Sequence, residues 1–451
     1  MADPTSRSIA STASVASIAS TLLRLAAPNW VVMVTMAAVS MIDIYFVGRL
    51  GLDALTGVSM TFPMVMLMQT MAAGGMGGGV AAAVARAIGA GKQEEADRVA
   101  AQALLIALGM AGLFTAGFLG LGPSLYAAIG ASEAALRAGI AYSNTLFLGA
   151  VVLWLFHLLA AVVRGSGAMV FPAVLLIVTQ LLHGALCPAL TFGVGPVPAL
   201  GVRGAALSSV LSFVPGVVAL GIHLISGRGA ARLSARNLRP QPAILWEICR
   251  VGLPTSLNNI LTNANVMILA ALVSTGGTEA IAGFGVASRI EYVIAPLAFG
   301  LGAAILALVG AAVGGGDRPR ARRIAWTGAA MTAALVGGIG LVAFAAPAWV
   351  IRRFSDDASV LAAGTLYLRL VAPSYALFGL GMGLWFAAQG AGRVRWPLVG
   401  SLSRLVVASG GGWIAIHGFG GGLSSLFAMV ALSFVTFGGI IAAATWSGRV
   451  V

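Results

Sequence analysis

Long apolar runs separated by short polar stretches recur twelve times along the chain. They fall at roughly 20–48, 54–87, 97–121, 136–163, 169–193, 203–226, 246–274, 280–313, 321–350, 361–388, 396–417 and 421–447. A helix rises 1.5 Å per residue and the hydrocarbon core of a bilayer is about 30 Å thick, so about 20 apolar residues cross it. Every run is long enough, and the pattern predicts twelve transmembrane helices.

The pattern also repeats. Pro28 meets Pro254 and Gly51 meets Gly277 at an offset of 226, and DALTG at 53–57 meets EAIAG at 279–283. After one gap the offset becomes 225: AIGAGKQEEADR at 87–98 meets AVGGGDRPRARR at 312–323, and RGSGAMVFP at 164–172 meets QGAGRVRWP at 389–397. Six spans per half is an even number, so both halves insert with the same orientation. The expected fold class is therefore an all-α membrane protein with twelve transmembrane helices in two six-helix lobes, related by a pseudo-two-fold along the membrane normal. The expected division is a tail at 1–19, an N-terminal lobe at 20–226, a linker at 227–245, a C-terminal lobe at 246–447 and a tail at 448–451. Parallel lobes of this kind predict a rocking transporter with a substrate cavity near the midplane. GGMGGG at 74–79 and GLGAA at 300–304 permit close helix approach, or simply pack helices, and Pro63 and Pro296 can kink their spans.

Composition agrees with the membrane reading: 59% of the 451 residues are hydrophobic, only 9% are charged, and 61 are glycine. The net charge of +13 changes the picture only through where it sits. The two tails and the even-numbered loops hold eighteen of the 26 basic residues, while the odd loops hold Arg49, Arg137, Arg203, Arg352 and Arg353. Both termini are thus expected in the cytoplasm of a multi-pass protein of the cell (inner) membrane. The basic residues are not gathered as a nucleic-acid face would require, and attraction to anionic lipid headgroups accounts for them. Cys187 and Cys249 make no disulfide framework, and the first thirty residues do not read as a removable signal. GAGK at 89–92 fails as a phosphate loop: Arg86 stands where the first glycine belongs, and Gln93 follows the lysine. No nucleotide partner is expected.

Few polar side chains interrupt the spans, and those few carry the candidate chemistry. Asp43 and Glu291 are the carboxylates well inside spans. An ionised acid there costs about 2.5–3.5 kcal/mol, which marks it as a functional candidate. A carboxylate whose protonation competes with a cation is what an antiporter needs, so both are candidate cation-coupling residues. Glu291 lies roughly 18 Å along its span, with two readings open: a second coupling acid, or an ion pair with an arginine on a neighbouring helix, Arg404 being the candidate. Gln180, His183 and Cys187 form one stripe of the fifth span, and His183 can share proton traffic with Asp43 or serve as packing. Asn259 and Asn263 share a face of the seventh span, as cavity wall or as helix glue. Gln69 lies among Met64, Met66, Met68 and Met71, an adaptable surface of the kind promiscuous binding uses. Gln69, Gln180, His183, Asn259 and Asn263 are the expected substrate-cavity residues. No metal site is expected, because no further ligands accompany Cys187 and His183 at useful spacing.

A proline fifteen residues before Asp43, then DIYFVGRLG and ALTG, GAGK, and RGSG, resembles the multidrug and toxic compound extrusion (MATE) family. GLP at 252–254, AIAGFGVASRIE at 280–291 and QGAGR at 389–393 supply the second-half counterparts. The resemblance spans essentially the whole chain. It implies a V-shaped twelve-helix exporter, monomeric, exchanging protons or sodium for cationic amphipathic compounds, with no cofactor. Asp43 matches the family's first-helix acid. The acids that the sodium-coupled branch places in helices seven and ten fall at Thr262 and Phe378, and the helix-five Asn and Asp of another branch fall at His183 and Cys187. Only the first-helix acid transfers, so H+ and Na+ both remain open.

The function expected is a secondary antiporter exporting cationic amphipathic compounds in exchange for H+ or Na+. The alternative is a lipid-linked precursor flippase of the same superfamily, which should line its cavity with basic residues; Arg289, Arg369 and Arg404 are the only ones within spans. An intramembrane enzyme would need a convergent nucleophile and base, which the scattered histidines and two buried acids do not offer.

Overall fold

The computed structural model describes residues 14–128, 130, 132–195 and 198–451. Every regular element among them is helical. Eleven helices are individually long and apolar enough to cross a membrane, and a bent pair meeting at 48° makes a twelfth span. In chain order they are α1 Val15–Gly48, α2 Leu52–Gly89, α3 Gln93–Ala127, the bent α4 Glu133–Gly165, α5 Val170–Phe192 and α6 Val202–Ile225. The second half holds α7 Pro242–Ser274, α8 Thr278–Gly314, α9 Arg318–Ala345, α10 Ala358–Ala391, α11 Arg395–Gly418 and α12 Leu423–Trp446.

The sequence repeat has a physical meaning in the helix contacts. Gly57 on α2 lies so close to α4 that a Cβ there would stand 2.5 Å from the Ala135 carbonyl oxygen; at the equivalent Gly283 on α8 it would stand 2.8 Å from that of Val360 on α10. Gly165 at the end of α4 likewise admits the Ala81 carbonyl, 2.5 Å from where its Cβ would be, and Gly390 admits that of Leu306. Ala81 and Leu306 are themselves equivalent positions, so each half makes the same backbone approach through the same missing side chain. Gly91 and Gly316, another matched pair, have φ of 71° and 77°, a left-handed conformation that glycine adopts at no steric cost. Polar caps close other ends: Ser132 accepts from the Ala135 amide at 3.1 Å and Asp317 from that of Arg320 at 2.9 Å.

The helices pack as two compact units, Ala27–Gly252 and Leu253–Val451, the second including the described residues before Ala27. The expected lobes were 20–226 and 246–447, joined by a cytoplasmic linker at 227–245. The divisions fall just before Pro28 and Pro254, the matched prolines, each of which removes a helical hydrogen bond at its position. The stretch expected as linker belongs to the first unit, held by three polar side chains of α3. Gln93 donates to the Ala230 carbonyl, and Asp97 accepts the Arg232 amide at 2.6 Å. Gln102, fully buried, donates to the carbonyls of Asn237 and Arg239 and accepts the Gln241 amide, each at 3.0 Å. Within the same unit Arg86 of α2 pairs with Glu247 of α7 at 2.8 Å. A π turn at Met71–Met76 interrupts α2, and two more, Val406–Gly411 and Ile414–Gly418, interrupt α11.

Candidate functional site

Asp43 lies on the last turns of α1, and its carboxylate faces α5. Its Oδ1 is 2.7 Å from His183 Nε2. The histidine side chain is 6% exposed and that of Asp43 39%, so the pair presents its acid outward and keeps its base inside. His183 Nδ1 meets Ser208 Oγ of α6 at 3.1 Å, and Ser208 Oγ also lies 2.7 Å from its own helix's Ala205 carbonyl. The chain of contacts thus runs from the partly exposed carboxylate through the ring to the backbone of α6. Val47, Cys187 and Ala205 form the buried cluster beside it, with Phe46, Leu55, Val58 and Tyr142 packed around them. A short, largely buried contact between a carboxylate and an imidazole is stronger than the same contact in water, and can hold or release one proton.

The second unit holds its own buried polar centre. Glu291 of α8 accepts a hydrogen bond from the Tyr367 hydroxyl of α10, and the fully buried Tyr375 hydroxyl faces the same carboxylate without closing a hydrogen bond. Arg404 of α11 is near enough to act on Glu291 electrostatically, but it lays its guanidinium over the rings of Phe378 and Phe434, at 4.9 and 4.8 Å from their centroids. The direct partner of Glu291 is thus a tyrosine and not the arginine. Among the described residues no group of three or more His, Cys, Asp or Glu side chains converges as a metal site requires.

The sequence profile of the MatE family matches residues 28–189 and 254–414. The chain belongs to the MatE family. The two matched segments begin at Pro28 and Pro254, the paired prolines of the repeat. Two curated relatives of this MatE protein are the FAD transporter of Shewanella oneidensis, 27% identical over 395 residues (87% of this chain and 86% of the relative), and the multidrug export protein MepA of Staphylococcus saprophyticus, 26% identical over 369 residues (81% and 80%). A transporter of the MOP superfamily from Pyrococcus furiosus, whose structure is described as having reversed binding-pocket polarity, superimposes with a TM-score of 0.87 at 25% identity over 96% of both chains. MatE proteins are membrane transporters, so this chain moves solutes and is not an enzyme.

Of the expected site residues, the MatE fold brings Asp43 and His183 into direct contact. Gln180 shares their unit on α5 but is only half-buried and takes no part in that contact, and Gln69 is half-buried one residue before α2's Thr70 and π turn. On α7, Asn263 is exposed and donates to the Asn259 carbonyl of its own helix at 2.8 Å, while Asn265 is buried and accepts from Ser409 at 2.9 Å. Asn265 thus joins α7 to α11, as Thr255, which accepts from Gln389 at 2.9 Å, joins α7 to α10. Sequence reasoning did not find Ser208, Tyr367 or Tyr375. Tyr367 carried one available signal, since Tyr142 occupies the matching position of the first half.

Proposed function

We propose that this MatE protein is a secondary antiporter of the cell (inner) membrane, both termini cytoplasmic. It works as a monomer by alternating access and exports cationic amphipathic compounds in exchange for H+ or Na+. The observation that carries the reading is Asp43: a partly exposed carboxylate inside a membrane span, held by a buried histidine. Such an acid attracts an organic cation when ionised and releases it when neutralised. Glu291, bound by Tyr367, is proposed as a second coupling group. Export of small compounds is supported by the MepA relative. One elementary charge crossing 100 mV supplies about 2.3 kcal/mol, enough for a roughly 50-fold gradient of substrate.

The test is ethidium transport in proteoliposomes under an imposed pH gradient and, separately, a sodium gradient. Wild type should transport on at least one of them, and Asp43→Asn should lose tenfold or more of the driven rate. Equal rates in both proteins would make Asp43 structural.

A second reading has its own support. The FAD transporter relative, together with the exposed Arg289 and Arg369 inside the spans of α8 and α10, favours an anionic amphiphile, such as a lipid-linked precursor moved by a flippase. Competition of ethidium transport by FAD or by a lipid pyrophosphate separates the two.

A further inference from the structure

The contacts of His183 place its hydrogens. Ser208 has one hydroxyl proton, and a carbonyl can only accept, so the 2.7 Å contact to Ala205 uses that proton. Ser208 Oγ is then the acceptor of the 3.1 Å contact with His183, which places a hydrogen on Nδ1. Nε2 and Asp43 Oδ1 stand 2.7 Å apart. Two bare acceptors do not sit at that distance, so one further proton lies between them. In this state the pair is neutral overall. In the alternative state Ser208 turns its hydroxyl to Nδ1, Nε2–H donates to an ionised Asp43, and the pair carries one negative charge. The two states differ by one proton, and the rotation of one buried hydroxyl distinguishes them.

We infer that His183 makes this site proton-selective: its imidazole holds the place on Oδ1 that a sodium ion would take, and the proton shared by Nε2 and Oδ1 is the ion exchanged. This rests on the reading of Asp43 as the coupling residue. A hard cation wants several oxygen ligands, whereas here one carboxylate oxygen faces a ring nitrogen that carries a hydrogen whenever Asp43 is ionised. The remaining titratable neighbours are Tyr142 of α4 and Cys187 of α5. Arg49 lies further along α1, over the rings of Tyr45 and Phe192 at 6.0 and 5.5 Å. Ser208 is a positioning residue, which accepts from Nδ1 in one state and donates to it in the other, and so decides what Nε2 can offer.

The experiment is an infrared pH titration of the purified, reconstituted protein, with the Asp43 carboxyl band assigned by its loss in Asp43→Asn. In wild type the band should titrate at the same pH in NaCl as in KCl. In His183→Gln, which removes the ring that shares the proton, the midpoint should move and should become sensitive to sodium. Ser208→Ala, which leaves the ring in place, should also move the midpoint while the protein stays folded. A wild-type midpoint that follows sodium, or one unmoved in both variants, overturns the proposal. If the titration behaves as expected but no gradient drives ethidium transport, the export reading fails and the proton site stands.

Discussion

A carboxylate and an imidazole from spans 140 positions apart in sequence meet at 2.7 Å, and that contact gives Asp43 a partner no helical spacing would provide. At the same scale, glycines set how closely helices approach. Gly165→Ala and Gly390→Ala each force a methyl group against a backbone carbonyl of α2 or α8, which cannot rotate away. Each should destabilise by about 1–3 kcal/mol, the usual cost of overpacking, read as a lower melting temperature of the purified protein. Because the two contacts are repeat equivalents, the two losses should be similar in size. A change at either glycine that leaves the melting temperature unmoved would show that the helix pair can relax apart.

Among the elements, the stretch after α6 is fastened and not slack. Gln93, Asp97 and Gln102 of α3 bind its backbone, leaving the side chains of Arg228, Arg236 and Arg239 exposed. The start of α7 is fixed to the same unit by Arg86 and Glu247, whose side chains are 11% and 25% exposed. Loss of the carboxylate removes the charge paired with the sheltered Arg86 guanidinium. Glu247→Gln should therefore cost about 3 kcal/mol in thermal stability, and the exchange Arg86→Glu with Glu247→Arg should restore part of the loss. If Glu247→Gln melts with wild type, the pair is screened and the hydrogen bonds of α3 alone secure this segment.

For the whole molecule, the distribution of basic residues predicts which ends of the spans face the cytoplasm. In a protein with Cys187→Ser and Cys249→Ser, a cysteine at Arg232→Cys should react with an impermeant maleimide only from the cytoplasmic side, and one at Arg353→Cys only from the other. The reverse pattern would overturn the positive-inside assignment.

Twelve spans, the two-fold internal repeat and the intramembrane acids were all legible in the sequence. Apolarity sustained over 20 or more residues has few alternatives to a membrane helix, and duplicated turns need duplicated glycines and prolines. Asp43 stood out because a lone carboxylate in an apolar run is costly without a use. Its partner was only one of several polar residues on the fifth span: periodicity placed Gln180, His183 and Cys187 on a common stripe but carried no information about what that stripe faces. Packing decided that His183 reaches Asp43 while Gln180 does not, that Glu291 takes its hydrogen bond from Tyr367 with Arg404 lying over Phe378 and Phe434, and that Asn265 accepts from Ser409 inside its unit. The unit boundaries at Gly252 and before Ala27 were likewise tertiary, because each continuous helix reads as one apolar run whichever unit its ends join. Local sequence determines where a helix can form and which faces are polar. Which polar faces meet depends on the register and rotation of helices distant in the chain, and only their packing fixes those.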